Sequence, residues 1–597
     1  MRSWRHRDLC AADSPGQCSS DTIVTPHEPT PVRTPTPVDQ LAENYLIACC
    51  ELDPVDATRI GVRGFDDQVT DYSPDGIADR VRTARAARRR LEAAAPTDDI
   101  DTVTIAAMVE RIDSFLALAD ADLLVGELNV ITSPLQSLRR VFDLQPTETS
   151  DDWRTLVSRL SHVPRSLDSY TEGLRARQRT AHPHPVRQVE CGIDHARMSA
   201  AAFDILVRRG PHDDSALGRD LTRAAHAASR SYLALAEILE SEFAPHAGTT
   251  DSVGREVYRL KSRSFLGTSI DLEETYDWGR ATLDSIVAEQ QRTADALVPG
   301  AGVRRVLELL DANPRYTLRG TDALQRWMQD LSDRTLAELK DSHFTIPREI
   351  ERLECRIAPT RTGGIYYTGP DEDLTRPGRM WWSVPSGVDQ FHTWHETSRV
   401  FHEGVPGHHL QVGTAMARRY ELNRWRRLAN FTPGHGEGWA LYAETLAVDL
   451  SLLDDPADLL GMLQSQRLRA ARVVIDIGLH CALPAPSSLG GGIWDPGKAW
   501  VFLAEHCVLD EISRRHEHDR YLGWAGQAPS YAVGQRLWQQ LRDDYFRRNP
   551  EADLRQFHDR TLAVGSVGMD VLRRAALGLG PEGTAQSVSS PSCGSSN

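Results

Sequence analysis

The sequence predicts a mainly α protein, a large helical body carrying one small β insert, and three observations lead to that expectation. Apolar residues recur at three- and four-residue spacing along most of the chain, the signature of helices with one buried face. One segment alone, residues 354–384, gathers β-branched and aromatic residues between Gly and Pro. No fixed-period repeat runs through the chain, which argues against a solenoid.

Taken in order, residues 1–35 ("TPHEPTPVRTPTP" and its surroundings) are too rich in Pro, Thr and Ser to pack a core and read as a disordered leader. Residues 36–350 read as an N-terminal helical part. "VDQLAENYLIACCEL", "IADRVRTARAARRRLEAAA" and "LTRAAHAASRSYLALAEILESEF" are typical, dominated by the strong helix formers Ala, Leu, Arg and Glu. Residues 351–580, where "HEGVPGHH" and "GHGEGW" gather His and Glu in a pattern that could ligate an ion, read as a catalytic metal-binding part packed with the first as one unit. It begins with two short strands joined by a loop in "ECRIAPTRTGGIYYTGPDEDLTRPGRMWWSV" and returns to helices in "WHETSRVFHEG", "GWALYAETLAVDLSLL" and "GQRLWQQLRDDYFRR". Residues 581–597 form a tail like the leader.

Composition narrows the function. With 597 residues, 40% hydrophobic and 25% charged, the chain is of ordinary globular type. A net charge of −16 argues against nucleic acid as a partner. No apolar run reaches the ~18 residues a membrane span needs, and the N-terminus has no apolar signal region. Nine scattered cysteines then read as reduced thiols, and the expected location is the cytoplasm. Oligomeric state is left open.

The stretch "FHEGVPGHHLQ", residues 401–411, resembles a zinc-binding H-E-x-x-H with its second histidine displaced. Two imidazoles on one ion must lie one helical turn apart on one face. His402 and His408 are six residues apart, about 600° around a regular helix, and His409 shares a face with His402 only about 10 Å further along. An unbroken helix therefore chelates with neither pair. Pro406 lacks the N–H that would bond to the His402 carbonyl, so the helix has to kink or bulge there, and Gly407 suits the unusual backbone. Looping out two residues would return His402 and His408 to the chelating relation, with His409 behind them. Glu403 would then face the open position as general base. A solvated helix end is the plainer alternative.

"GHGEGWALYAE", residues 434–444, offers Glu437 as third ligand, with Glu444 one heptad later on a similar face. In "RLRAARVVIDIGLH", Arg472, Asp476 and His480 stack as a polar stripe on an apolar helix, either an ion-pair ladder or a set that orients ligands and substrate. Tyr531 in "GQAPSYAVGQRLW" follows a turn from which a phenol can reach a cleft and donate to a developing oxyanion.

Together with "FHDRTLAVGSVG", and in this order, these motifs resemble the DUF885 family over about residues 36–578. The resemblance implies a zincin-like fold of the gluzincin type and one zinc ion per chain held by His402, His408 and Glu437, with Glu403 as base. It also implies substrate and oxyanion contacts from Gln527 and Tyr531, and a catalytic role beside Tyr531 at the oxyanion for His480, which closes the family's V-V-D-T-G-x-H helix. The segment from Ile365 and Tyr366 would be the edge strand along which a peptide aligns. Two departures stand out: Ala525 replaces the family's Pro, and the segment around 484–497 is longer, so that it is expected to edge the cleft.

The implied activity is zinc-dependent hydrolysis of a peptide or amide bond. If Arg469, Arg472 or Arg536 pairs a free substrate carboxylate, the enzyme would be a carboxypeptidase or dipeptidase on short peptides. Two alternatives are a metal-dependent hydrolase of a specialised amide in secondary metabolism and an inactive helical binding protein with a vestigial site.

Overall fold

The computed structural model describes residues 32–211, 216–359 and 364–580; the tail and the leader up to residue 31 lie outside the described residues. The last leader residues are anchored. Arg33, within the segment expected as leader, pairs with Asp98 at 2.6 Å and with the buried Asp101 at 2.5 Å, at the start of the helix Asp99–Asp120.

Among the described residues the protein is built from twenty-one α-helices and five short strands. Sequence-level start signals set many of the helices. Thr149 caps Ser150–Gln178 in a capping box with Asp152, and Thr36 caps Pro37–Leu52 in the same way with Asp39. The N-terminal helices Ser150–Gln178, Val186–Arg209 and Ala216–Ile238 bury one core around Leu160, Phe203 and Tyr232. A second core joins Leu46 and Met108 from the N-terminal part to Trp439, Trp538 and Leu572 from the C-terminal part. Apolar packing thus runs without a break across residue 350.

The β insert is richer than the two expected strands. Within it lie β2 (Leu353–Ile357), β3 (Ile365–Thr368) and β4 (Gly378–Trp382), in the order β2-β4-β3. β2 runs parallel to β4, and β3 antiparallel to it with Tyr366 opposite Trp381. A second sheet pairs β1 (Thr317–Arg319) with β5 (Gln390–His392). Central β4 alternates as strand residues should, with Met380 and Trp382 buried and Arg379 and Trp381 turned outward. The parallel pairing of β2 with β4 reaches around β3, a long-range choice that local pattern does not encode. β3 is left at the edge.

The longer segment after His480 does not border the cleft as expected. Trp494 is buried and donates to the Tyr276 hydroxyl at 2.9 Å, which itself donates to the Pro484 carbonyl at 2.6 Å. These bonds fold the segment back onto the helix Leu272–Leu297, on the body of the protein.

Candidate metal centre

The two histidines come from separate helices. Thr393–Glu403 carries His402, and His408–Ala417 begins at His408, so the chain breaks between them as Pro406 and Gly407 required. A methyl group on Gly407 would collide with the carbonyl oxygens of Phe401 and His402, so only glycine allows the chain to pass so close. The break is held from outside as well. Trp439 Nε1 donates to the carbonyls of Pro406 at 3.0 Å and Gly407 at 3.1 Å.

The reversal brings the His402 and His408 rings to 5.1 Å between centroids, nearly perpendicular. Glu437, from the helix Pro433–Asp449, completes the group. Its Oε2 lies 3.4 Å from His402 Nε2 and 3.6 Å from His408 Nε2, and the ligand atoms of the three residues all fall within 4.8 Å of one another. Two atoms bound tetrahedrally at zinc distances are separated by about 3.3 Å, so the donor set and its spacing fit such an ion. His402 is also held from behind. Its Nδ1–H donates to the fully buried Glu444 at 2.8 Å, which fixes the tautomer that turns Nε2 inward.

The electrostatics favour positive charge here. Burial alone would pull the His402 imidazole down, but Glu437 and Glu444 outweigh it and lift it to about 9. Burial likewise raises the Glu437 carboxyl, yet His402 and His408 win and hold it well below the usual carboxylate range. Glu403 is pushed upward by burial, against the pull of the two histidines.

The centre opens on a cleft of about 1110 Å³ that Glu403, Tyr531 and Arg472 line together with Ile365 and Tyr366 on β3. Tyr531 stands at the start of the helix Ser530–Arg548. That helix lies so close to the Glu437 helix that a methyl on Gly438 would sit 2.5 Å from the Gly534 carbonyl carbon. The Arg472 and Arg520 guanidinium groups lie 5.1 and 5.9 Å from the Tyr531 ring centre. Burial, with Glu437 nearby, raises the phenol and keeps its proton in place.

Three expected site residues stand elsewhere. His480 is fully buried beyond the cleft wall: its Nε2–H donates to the Tyr521 carbonyl at 2.8 Å and its Nδ1 accepts from the Val253 amide at 3.3 Å. Both ring nitrogens are thereby committed to backbone, and burial lowers the imidazole to about 4. Arg536 pairs with Glu274 on the outer side of its helix and stacks on Trp278 at 4.8 Å. Gln527 sits one layer back, where its Oε1 accepts from Arg520 at 2.6 Å. The polar stripe is no ladder either. Arg472 bonds Glu517 at 2.9 Å, and Asp476 accepts from the Tyr258 hydroxyl and the Gly526 amide.

His409 turns away from the centre as expected, donating from Nε2 to the Ile350 carbonyl at 2.8 Å while Nδ1 accepts from the Tyr367 hydroxyl at 3.1 Å. Glu444 has no role legible in the sequence beyond its seven-residue offset from Glu437, which puts both on one face of the helix. Sequence reasoning missed Glu517 and Arg520 outright, because Glu517 meets Arg472 across 45 residues of chain.

The fold and the site thus define a helical protein with a buried His-His-Glu group that could hold a metal ion. The family described as "Bacterial protein of unknown function (DUF885)" matches residues 54–575, and the chain belongs to it. Solved structures of like fold include "the putative lipoprotein from Colwellia psychrerythraea", with TM-score 0.77 and 21% identity over 90% of this chain and 98% of that one. Another comes from Shewanella oneidensis, described in the same terms and as of unknown function, with TM-score 0.70 and 14% identity over 91% of this chain and 100% of that one. At such identities the likeness is one of fold. No curated protein matches the chain.

Proposed function

We propose that this protein is a zinc-dependent hydrolase of amide bonds, a carboxypeptidase or dipeptidase acting on short peptides, with a gluzincin-like catalytic arrangement. One observation carries the reading. A donor set that suits zinc, His402, His408 and Glu437, shares its cleft with a further carboxylate, Glu403, next to the first ligand.

A bound zinc ion would polarise the scissile carbonyl and acidify water. The chain's own residues do the rest. Glu403 takes the proton from the attacking water and hands it to the departing amine. Tyr531 donates toward the carbonyl oxygen as negative charge gathers there. The free edge of β3 offers backbone groups to an extended substrate. Glu444 keeps the His402 ring oriented throughout. This reading gives no part in these steps to His480 and Arg536, whose polar atoms bond Tyr521, Val253 and Glu274.

The aromatic wall of Tyr366, Trp382, Phe391 and Phe431 supports a second reading, hydrolysis of a specialised small amide. For location, the six described cysteines are unpaired, which favours a reducing compartment. The lipoprotein descriptions of the structural neighbours favour the cell envelope instead, and fractionation separates the two. Among the described residues no helix is long and apolar enough to cross a membrane.

Metal analysis is expected to give about one zinc per chain, and absence of metal would end both hydrolytic readings and leave a binding protein with a vestigial site. Glu403→Gln should retain zinc and lose turnover. Profiling dipeptides, N-blocked peptides and small amides then separates the two substrate classes.

A further inference from the structure

The cleft holds four arginines, Arg399, Arg469, Arg472 and Arg520, in a chain whose net charge is −16. Facing them are five carboxylates: Asp311, Glu396, Glu403, Glu437 and Glu517. A divalent cation on the His-His-Glu group would leave this lining net positive, an environment suited to an anionic substrate.

Three of the arginines are already engaged. Arg399 donates to Glu396 at 2.7 Å. Arg472 and Arg520 share Glu517, at 2.9 and 3.2 Å, and Arg520 also donates to Gln527. Arg469 differs. Among the described residues it makes no hydrogen bond, and its Nε is buried without a partner. Its nearest carboxylate, Glu444, is 3.8 Å away and already accepts from His402. The buried Nε without a partner is costly, and the terminal nitrogens, which make no hydrogen bond either, are left with donors to spare. Arg469 faces the cleft, so that acceptor can come from solution.

We infer that Arg469 is the residue that binds the free carboxylate of the substrate's C-terminal residue. The inference rests on the hydrolase reading for its setting and deepens it by assigning one residue the selection of amides that carry a carboxylate next to the scissile bond. Position supports it. Arg469 lines the same cleft as His402, His408 and Glu437, and its nearest carboxylate, Glu444, is the one that orients the ligand His402. Arg469 and Arg472 are one turn apart on the helix Pro456–His480, whose last turns are buried and rigidly packed. The planar fork of Arg469 matches a carboxylate with two parallel hydrogen bonds.

The test uses the zinc-loaded full chain and a pool of N-acetyl dipeptides supplied both as free acids and as C-terminal amides. Mass spectrometry reads cleavage by the wild type, and equilibrium dialysis reads binding to Glu403→Gln. Free acids should be favoured over amides by about 10- to 100-fold in both measurements, the effect of charge-assisted hydrogen bonds. Adding Arg469→Gln should bring both ratios to about one with zinc content kept, and Arg469→Lys should retain part of the preference even if the Gln variant folds poorly.

Equal handling of acids and amides by the wild type overturns the inference. So does an acid preference that survives in Arg469→Gln, and zinc loss in that variant alongside a surviving preference would make Arg469 a support for Glu444 alone. If nothing is cleaved but acids still bind better, the hydrolase reading falls and the carboxylate site stands. If nothing is cleaved and acids bind no better, both fall.

Discussion

Glu444 accepts a hydrogen bond from His402 Nδ1 at 2.8 Å inside the protein, where its side chain has no exposure at all. The bond links the first histidine helix to a carboxylate two turns beyond Glu437 on the glutamate helix. One imidazole is therefore bracketed by two glutamates of the same helix, one toward each ring nitrogen. Glu444→Ala should weaken metal binding by about 10- to 100-fold, the usual effect of removing the partner that orients a ligating histidine. Competition with a chelator of known affinity measures this, and unchanged affinity would remove Glu444 from the centre.

Gly407→Ala is expected to damage the site without altering any ligand. Its methyl group meets the carbonyls of Phe401 and His402, which belong to backbone and have little room to move. Stability should fall by about 1–3 kcal/mol, as for other overpacked interiors, and zinc content should fall with it. Chemical denaturation and metal analysis together report both effects.

Acid should loosen the cleft wall through Glu517. Burial alone would raise this carboxyl, but Arg472 and Arg520 prevail and hold it at about 2, below its ordinary 4.5. A carboxylate lowered on folding stabilises the protein above its unfolded value, and that contribution disappears as pH falls from about 4.5 toward 2. Thermal melts across this window should show a slope that Glu517→Gln makes shallower. An unchanged slope would mean that the Arg472–Glu517 pair contributes nothing to stability.

Arg536→Ala and His480→Gln probe the cleft boundary from outside. Arg536 serves an exposed pair with Glu274, so its removal should leave stability within about 0.5 kcal/mol. His480→Gln, by contrast, disturbs a buried bond to the Tyr521 carbonyl and should lower the melting temperature. Substrate affinity of the folded protein should stay within a few-fold of wild type in both, and a larger loss on calorimetry would return the residue to the site.

Much of this was legible in the sequence because helix periodicity, Pro406 and the His402, His408 and Glu437 spacing are local or rest on a strong motif. The break between the histidines follows from a missing N–H, a property of one residue. What escaped depended on long-range partners. Arg536 and Arg472 look alike along the chain, yet one turns to Glu274 and the other to Glu517. His480 has the composition of a catalytic histidine and the surroundings of a core one. The third strand of the insert was likewise hidden, because β2 pairs not with β3, the next strand along the chain, but with β4 beyond it.

The bond from Trp439 to the carbonyls of Pro406 and Gly407 bears on how this centre can be moved between proteins. Glu437 and Trp439 sit two residues apart, one meeting the histidines and the other fastening the loop that separates them. Neither motif is therefore portable alone. A "HEGVPGHH" segment grafted onto another helical scaffold would bring its ligands without their clasp, and "EGW" alone would bring a clasp with nothing to close. The transferable unit is the pair, set at the distance that lets an indole reach across.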